Sequence, residues 1–268
     1  MADIQWLING VDAATWGVQR DTNWTPPVVV RSNLMSLPGK DGALVLDSSP
    51  IFDEPKIPFK FTLRARKQAN LEELANALKA HLAHPNLTLT RVSGGLTTSA
   101  RARLESIALA DFLVGRKSDI HAILAIPGVF MRGAISTCAQ KVSSDTWQVI
   151  ENLTGSTGPI TDAVIQVLGP ATTVSITDSV NGTGFTWAGT LASGQYLYLN
   201  PANLGAWVSS SATAWTAAAQ NGTVDYPAPG VLRLIPDGAK REVKAKVLIG
   251  GSNSATTKWL IRAGKSYV

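Results

Sequence analysis

A chain of 268 residues suits two domains of roughly 100–200 residues each. Hydrophobic residues make up 45% and charged ones only 16%, below the usual share of about 25%, which argues against a disordered tail and for a chain rich in backbone pairing. The net charge of +5 is spread evenly, with 15 basic and 12 acidic residues up to residue 134 and 9 and 7 after it, so no basic nucleic-acid-binding domain stands out.

Along the chain, Trp6 alternates with Ile4 and Ile8, the pattern of a strand that faces a core or a neighbour. Between Lys56 and Arg66, Ile57, Phe59, Phe61, Leu63 and Ala65 share one face, while Lys56, Lys60, Arg64 and Arg66 share the other. That is a half-solvated antiparallel strand. Leu71, Leu74, Ala75, Leu78 and Leu82 then follow helical spacing. Asn70 caps this helix in the expected box with Glu73, and Pro85 follows its end. A solitary helix of about 14 residues must pack on a sheet, being marginal alone in water. Asn86–Arg91 and 96–107 read as strands joined by a Gly94-Gly95 hairpin, and Ser118–Ile126 as one more.

After residue 134 the segments are short, β-branched and bounded by turns: Thr161–Leu168, Thr172–Thr177, Gly184–Trp187, Gln195–Leu199, Val231–Ile235 and Val243–Ile249. Asn181-Gly182, Asn221-Gly222 and Asp237-Gly238 are tight-turn signals. The spacing predicts a sandwich or jelly roll. The boundary is expected within Arg132–Ser144, where no long Gly/Ser or Pro linker occurs.

Chemical motifs are sparse. The lone Cys138, beside Ser136, Thr137 and Ala139, excludes an internal disulfide and a Cys-based zinc cluster. Gly264-Lys265-Ser266 is the tail of a phosphate loop, but position 259 is Trp and no helix can follow. His81 and His84 sit one turn apart, without a carboxylate partner at motif spacing and with His121 on a strand, and read as a wet helix end. Asp53-Glu54 and Glu72-Glu73 read as a loop and a helix's first turn, and no serine-triad or His-Glu-x-x-His motif is present. No cofactor, metal or catalytic residue is expected. Five Asn-x-Ser/Thr sequons occur without a secretory signal, and the apolar stretch from Ile120 to Met131 is too short for a membrane span of about 20 residues. The expectation is assembly in a reducing cytoplasm with no membrane insertion. The eight Trp are a surplus; those of the second half, Trp207 and Trp215 among them, read as core or subunit contacts or as platforms for sugar rings.

An ordered set opens the chain: Trp6-Leu-Ile-Asn9-Gly10, Thr15-Trp16-Gly17-Val18 and Leu37-Pro38-Gly39-Lys40-Asp41-Gly42. It resembles the opening of the distal tail proteins of long-tailed phages (siphoviruses), and the basic strand and lone helix at 56–84 match that family's next step. Gly158–Gly169 and Thr257–Arg262 resemble the entry and last strands of its galectin-like domain, whereas residues 200–228, rich in Ala, Ser and Trp, depart from its rhythm.

The resemblance implies a mainly β protein. An N-terminal β-sandwich or barrel-like domain with one packed α-helix, residues 1–138, would form a ring. A galectin-like, jelly-roll type β-sandwich, residues 139–268, would project from it. It implies a non-enzymatic tail-tip component, a homo-oligomeric ring of six copies between the tail tube protein and the tip hub protein, with DNA only as passing cargo. Strands 56–66 and 96–108 are then candidates for the inner wall, with Lys60, Arg64, Arg66, Arg101 and Arg103 facing the lumen or a neighbouring subunit, or simply solvent. The second domain is expected to meet receptor-binding proteins or host-wall glycan. The alternative is a carbohydrate-binding protein using Trp207 and Trp215, while a cell-wall enzyme has no catalytic constellation behind it.

Overall fold

The computed structural model describes residues 4–19, 30–31, 34–36, 43–45, 51–109, 117–227, 229–251 and 257–267. The Leu37–Gly42 turn of the opening motif lies outside them. By its internal contacts the chain divides into two units, one ending at Gly133 and one over Ala134–Tyr267.

In the first unit, β1 (Gln5–Ile8) and β2 (Val11–Asp12) form a hairpin over Asn9 and Gly10, at φ 49° and 78°. These left-handed values are what Asn-Gly supplies to a two-residue hairpin. Asn9 also ties the hairpin down, its Oδ1 accepting from Thr88 N at 2.8 Å and its own N–H donating to Thr88 O at 2.8 Å. Asp12 caps a 3-10 turn over Ala13–Trp16, which ends on Gly17 at φ 67°. A Cβ at Gly17 would collide with the Thr62 carbonyl oxygen, so the Trp-Gly step is a close-approach requirement.

Two small ladders follow: β3 (Val30–Arg31) with β6 (Ile51–Phe52), and β4 (Leu34–Ser36) with β5 (Ala43–Val45). β7 (Lys56–Arg64) keeps the predicted alternation, burying Ile57, Phe59, Phe61 and Leu63. The helix α1 spans Gln68–Leu82. It starts earlier than the capping box implied: Lys67 is the cap residue, without a side-chain hydrogen bond, and Leu71 N bonds to Lys67 O. Asn70 therefore lies inside the first turn. The buried stripe is Leu71, Ala75, Leu78 and Leu82, while Leu74, expected within it, is 37% exposed.

β8 (Thr88–Ser93) and β9 (Leu96–Arg101) form the Gly94-Gly95 hairpin. The strand expected to run on to residue 107 breaks at buried Ala102, whose N–H turns to Leu87 O. Beyond it, β10 (Arg103–Leu109) enters a different sheet, beside β11 (Lys117–Ala125). Switching sheets at such a corner lets one chain serve two packed layers. The layers are β2-β1-β8-β9, continued by β12 (Met131–Thr137) through Arg132 opposite Ser99, and β10-β11-β7. Trp6 meets Phe59 edge-on at 5.6 Å across the core, and α1 packs on β7, β10 and β11.

In the second unit the strands are β13 (Lys141–Val142), β14 (Ser144–Val149), β15 (Val164–Leu168), β16 (Ala171–Asp178), β17 (Gly184–Leu191), β18 (Tyr196–Asn200), β19 (Gly205–Ser209), β20 (Thr223–Asp225), β21 (Pro236–Asp237), β22 (Glu242–Gly250) and β23 (Lys258–Tyr267). They build two antiparallel sheets, β19-β18-β15-β23 with β13 on β23, and β14-β22-β16-β17-β20 with β21 on β22. Ile165, Val167, Leu197, Leu199 and Ile261 of the first share one apolar core with Val174, Ile176, Phe185, Trp187 and Val247 of the second. This is the sandwich the strand spacing predicted. Gly182, Gly222 and Gly238 take φ of 66–69°, as their Asn-Gly and Asp-Gly turns require. Val231–Ile235 is not a strand; it makes two isolated bridges, Val231 to Gly184 and Leu234 to Ile160.

Residues 210–222 form a cover on the outer face of the β19-β18-β15 sheet. Tyr198 is its anchor: the hydroxyl donates to Ser211 O at 2.6 Å and accepts from Gln166 Nε2 at 2.8 Å and Ala214 N at 3.1 Å. Gln166 reaches on to Ala212 O, and Trp207 Nε1 to Ala214 O. Gln166 and Tyr198 point away from the core, yet both are buried because the cover lies over them. Among the described residues no helix is long and apolar enough to cross a membrane.

Candidate interaction surfaces

The outward face of β10-β11-β7 carries most of the cations singled out in the first unit. Lys60 and Arg64 alternate on β7, opposite His121 and Lys117 of β11. Lys117 is answered by Asp119 at 3.1 Å, and Thr62 donates to the same Asp119 at 2.7 Å, which holds that carboxyl below its ordinary range. On β10, Arg103 makes a bidentate pair with Glu54 at 3.0 and 2.8 Å, and Lys56 pairs with Glu105. Arg101 lies on the other side of the Ala102 corner, in the second sheet, and donates to Asn86 Oδ1 at 2.6 Å. Arg66 stands beyond the end of β7. Lys60, Arg64 and Arg103 thus share one sheet, with Arg64 and Arg103 at opposite ends of it, and Arg101 lies in another.

The end of β7 and the flank of α1 enclose two adjoining hollows of about 560 and 550 Å³ that share Arg64 and Leu74 as walls. Trp16 and Val18 continue the first, and Arg66, Glu73 and Ala77 the second. Trp16 Nε1 is buried and meets no acceptor among the described residues. Neither Leu74 nor this hollow was legible as a site, since Leu74 fits the core stripe in the sequence.

The histidines play separate roles. His81 Nε2 lies 2.9 Å from Ile8 O, its ring tilted against Trp16, and His84 Nδ1 accepts from Asn86 N at 3.1 Å. Among the described residues no three His, Cys, Asp or Glu cluster as a metal site.

In the second unit, Trp207 is 1% exposed, stacked on Tyr198 at 5.5 Å, so it offers no face to a sugar ring. Trp215 is half-buried, edge-on to Tyr198 with the Arg262 guanidinium 4.9 Å from its ring centre. Trp187 and Trp259 are buried, and Trp147, beneath Lys246, is the exposed one of this set. A shallow hollow of about 700 Å³ lies on the outer face of β22-β16-β17-β20, with Thr173, Ser175, Thr186, Thr223, Asp225 and Leu248 in its wall. Cys138 is buried; its Sγ accepts from Ile261 N at 3.1 Å, and burial pushes the thiol up.

No protein-family model and no curated protein matches the chain. Among solved structures it is similar to Dit (gp 19.1) of phage SPP1, presented as a paradigm of the hub adsorption apparatus of phages that infect Gram-positive bacteria. That match has 10% identity and a TM-score of 0.58, and covers 98% of this chain and 99% of that one. Two structures of the phage P2 baseplate in its activated conformation, with Ca and with Sr, match at 11% identity and a TM-score of 0.43, covering 99% of this chain and 100% of theirs. The chain has the mainly β fold of a phage distal tail protein over nearly its whole length.

Proposed function

We propose that this protein is a structural, non-enzymatic component of the tail tip of a long-tailed phage, closing as a ring of six copies between the tail tube and the tip hub. The observation that carries the reading is the likeness to SPP1 Dit, which spans both units rather than one shared sandwich. The first unit, with its helix-backed sheets, is the ring builder, and the second projects toward receptor-binding proteins. In the β10-β11-β7 sheet, β10 has no strand on its outer edge among the described residues. Pairing that edge with the next subunit satisfies its backbone groups and protects it from aggregation. Lys60 and Arg103 are the candidates to face the ring's lumen, through which DNA passes as cargo, or the neighbouring subunit. Electron microscopy of the purified protein with its tail tube and hub partners tests the reading: six-fold rings at the tube end are expected. A protein that stays monomeric and never joins the tail overturns it.

A second reading, recognition of host-wall glycan, is favoured by the hydroxyl-lined hollow on the β22-β16-β17-β20 face, whose volume falls in the range of small-ligand sites, about 300–1,000 Å³. Binding of the full chain to a glycan array, lost in Asp225→Ala, supports it; an array signal unchanged by Asp225→Ala or absent removes it.

A further inference from the structure

The cations of the first unit are not equivalent. Arg103, Lys56, Lys117 and Arg101 each have a partner within the fold. Arg64 and Arg66 make no hydrogen bond or ion pair among the described residues, and Arg64 stands across from Lys117, whose own charge Asp119 answers within the fold. Both arginines border the adjoining hollows beside α1, two guanidinium groups against the single carboxylate of Glu73. Between them, Leu74 interrupts a polar helix flank with a 37% exposed apolar side chain. Trp16 forms a further part of the first hollow's wall.

We propose that this groove is the docking site for an acidic segment of another protein that carries an apolar side chain. The apolar group covers Leu74 and Ala77, and carboxylates meet Arg64 and Arg66. Arginine suits such a rim because its planar fork binds carboxylate bidentately while its stem packs on apolar surface. Charge selects a different protein over a second copy of this chain. The chain carries +5 overall, and on this side of the first unit Glu54, Glu105 and Asp119 are already paired. The inference stands on the first unit's own surface and does not require the ring.

The test is fluorescence anisotropy of the full-length protein with a fluorescein-labelled peptide of mixed glutamate and leucine, against an all-glutamate peptide and a lysine–leucine peptide of equal length. The glutamate–leucine peptide is expected to bind, and to bind more weakly as salt is raised. The double change Arg64→Glu, Arg66→Glu is expected to weaken it at least ~10-fold and Leu74→Gln about 3-fold or more, while Arg101→Glu, on the other sheet, leaves it unchanged. All of these positions are solvent-facing, and a thermal melt confirms that each variant is folded. No binding, equal binding by the lysine–leucine peptide, or equal binding by the double variant overturns the proposal. So does self-association of the unchanged protein that the double variant abolishes while the peptide fails to bind, which assigns the groove to a contact between copies.

Discussion

Removal of one oxygen, by Tyr198→Phe, tests whether residues 210–222 are a structural layer or a loop free to hold ligand. The hydroxyl makes three hydrogen bonds, to Ser211 O, Gln166 Nε2 and Ala214 N, and Tyr198 has no exposed surface. Gln166 retains its bond to Ala212 O, so two backbone groups lose their partner outright. At about 1 kcal/mol net per bond, and more for a buried group left bare, the change costs about 2–4 kcal/mol. For a unit of this size that lowers Tm by about 8–16 °C, at roughly 4 °C per kcal/mol. Trp207 stacks on the same ring and Trp215 packs against its edge, so loosening of the cover shifts tryptophan emission to the red before global melting. Tyr196→Phe is the control: that side chain is half-buried and its hydroxyl makes no hydrogen bond among the described residues, so about 0.5 kcal/mol or less is expected. A Tm shift under about 2 °C for Tyr198→Phe, with unchanged emission, refutes the cover as a packed layer.

Three further outcomes follow from single positions. Gly17→Ala forces a side chain into the left-handed region and against the Thr62 carbonyl, and urea unfolding should show a loss of about 2–4 kcal/mol; an unchanged midpoint counts against the close approach. Cys138, buried with its thiol pushed up, should resist a thiol reagent in the folded protein and react fully in urea. Cys138→Ser should cost about 1–2 kcal/mol and leave assembly intact, whereas fast labelling of the native protein contradicts this. Burial pushes the Asp178 carboxyl up, against the pull of the backbone N–H groups of Ile235, Asn181, Val180 and Ser179. A carboxyl that holds its proton more tightly when folded stabilises most at low pH, and its contribution falls as pH rises from about 3.9, the ordinary value. The stability difference between the unchanged protein and Asp178→Asn should therefore shrink as pH rises through the carboxylate range; a difference that grows is incompatible with the raised carboxyl.

The fold was legible where a local rule acts alone. Alternation in β7 placed Ile57, Phe59, Phe61 and Leu63 inside because a strand's pleat has a fixed period. The Gly94-Gly95, Asn181-Gly182, Asn221-Gly222 and Asp237-Gly238 turns were legible because few residues tolerate their φ. The corner at Ala102 was not, since nothing in 96–107 marks where a strand stops serving one sheet and joins another. The helix start was missed for a related reason. Asn70 and Glu73 fit a capping box, but the exit of β7 sets the first turn earlier, at Gln68, and tertiary context outweighs a cap worth about 1 kcal/mol. Residues 200–228 broke the strand rhythm because their aromatics answer to a layer, Tyr198 to Trp207 and Trp215, that periodicity cannot describe.

Charge was the least legible property, and there the structure changes the functional argument most. Sequence places Arg64, Arg66, Arg101 and Arg103 in one class, cations beside long strands, because alternation reports the face of a side chain and not what stands opposite it. Arg103 meets Glu54, 49 residues away, and Arg101 meets Asn86 across a hairpin; both are partnered within the fold. An exposed pair of that kind contributes on the order of 0–1 kcal/mol, so it neither explains stability nor leaves charge for a partner. Arg64 is the reverse case: it makes no ion pair among the described residues, so its charge is open to a partner. Beside Leu74, Arg64 and Arg66 leave two charges without an ion pair among the described residues, where an apolar contact can hold a partner in register while the arginines select its sign.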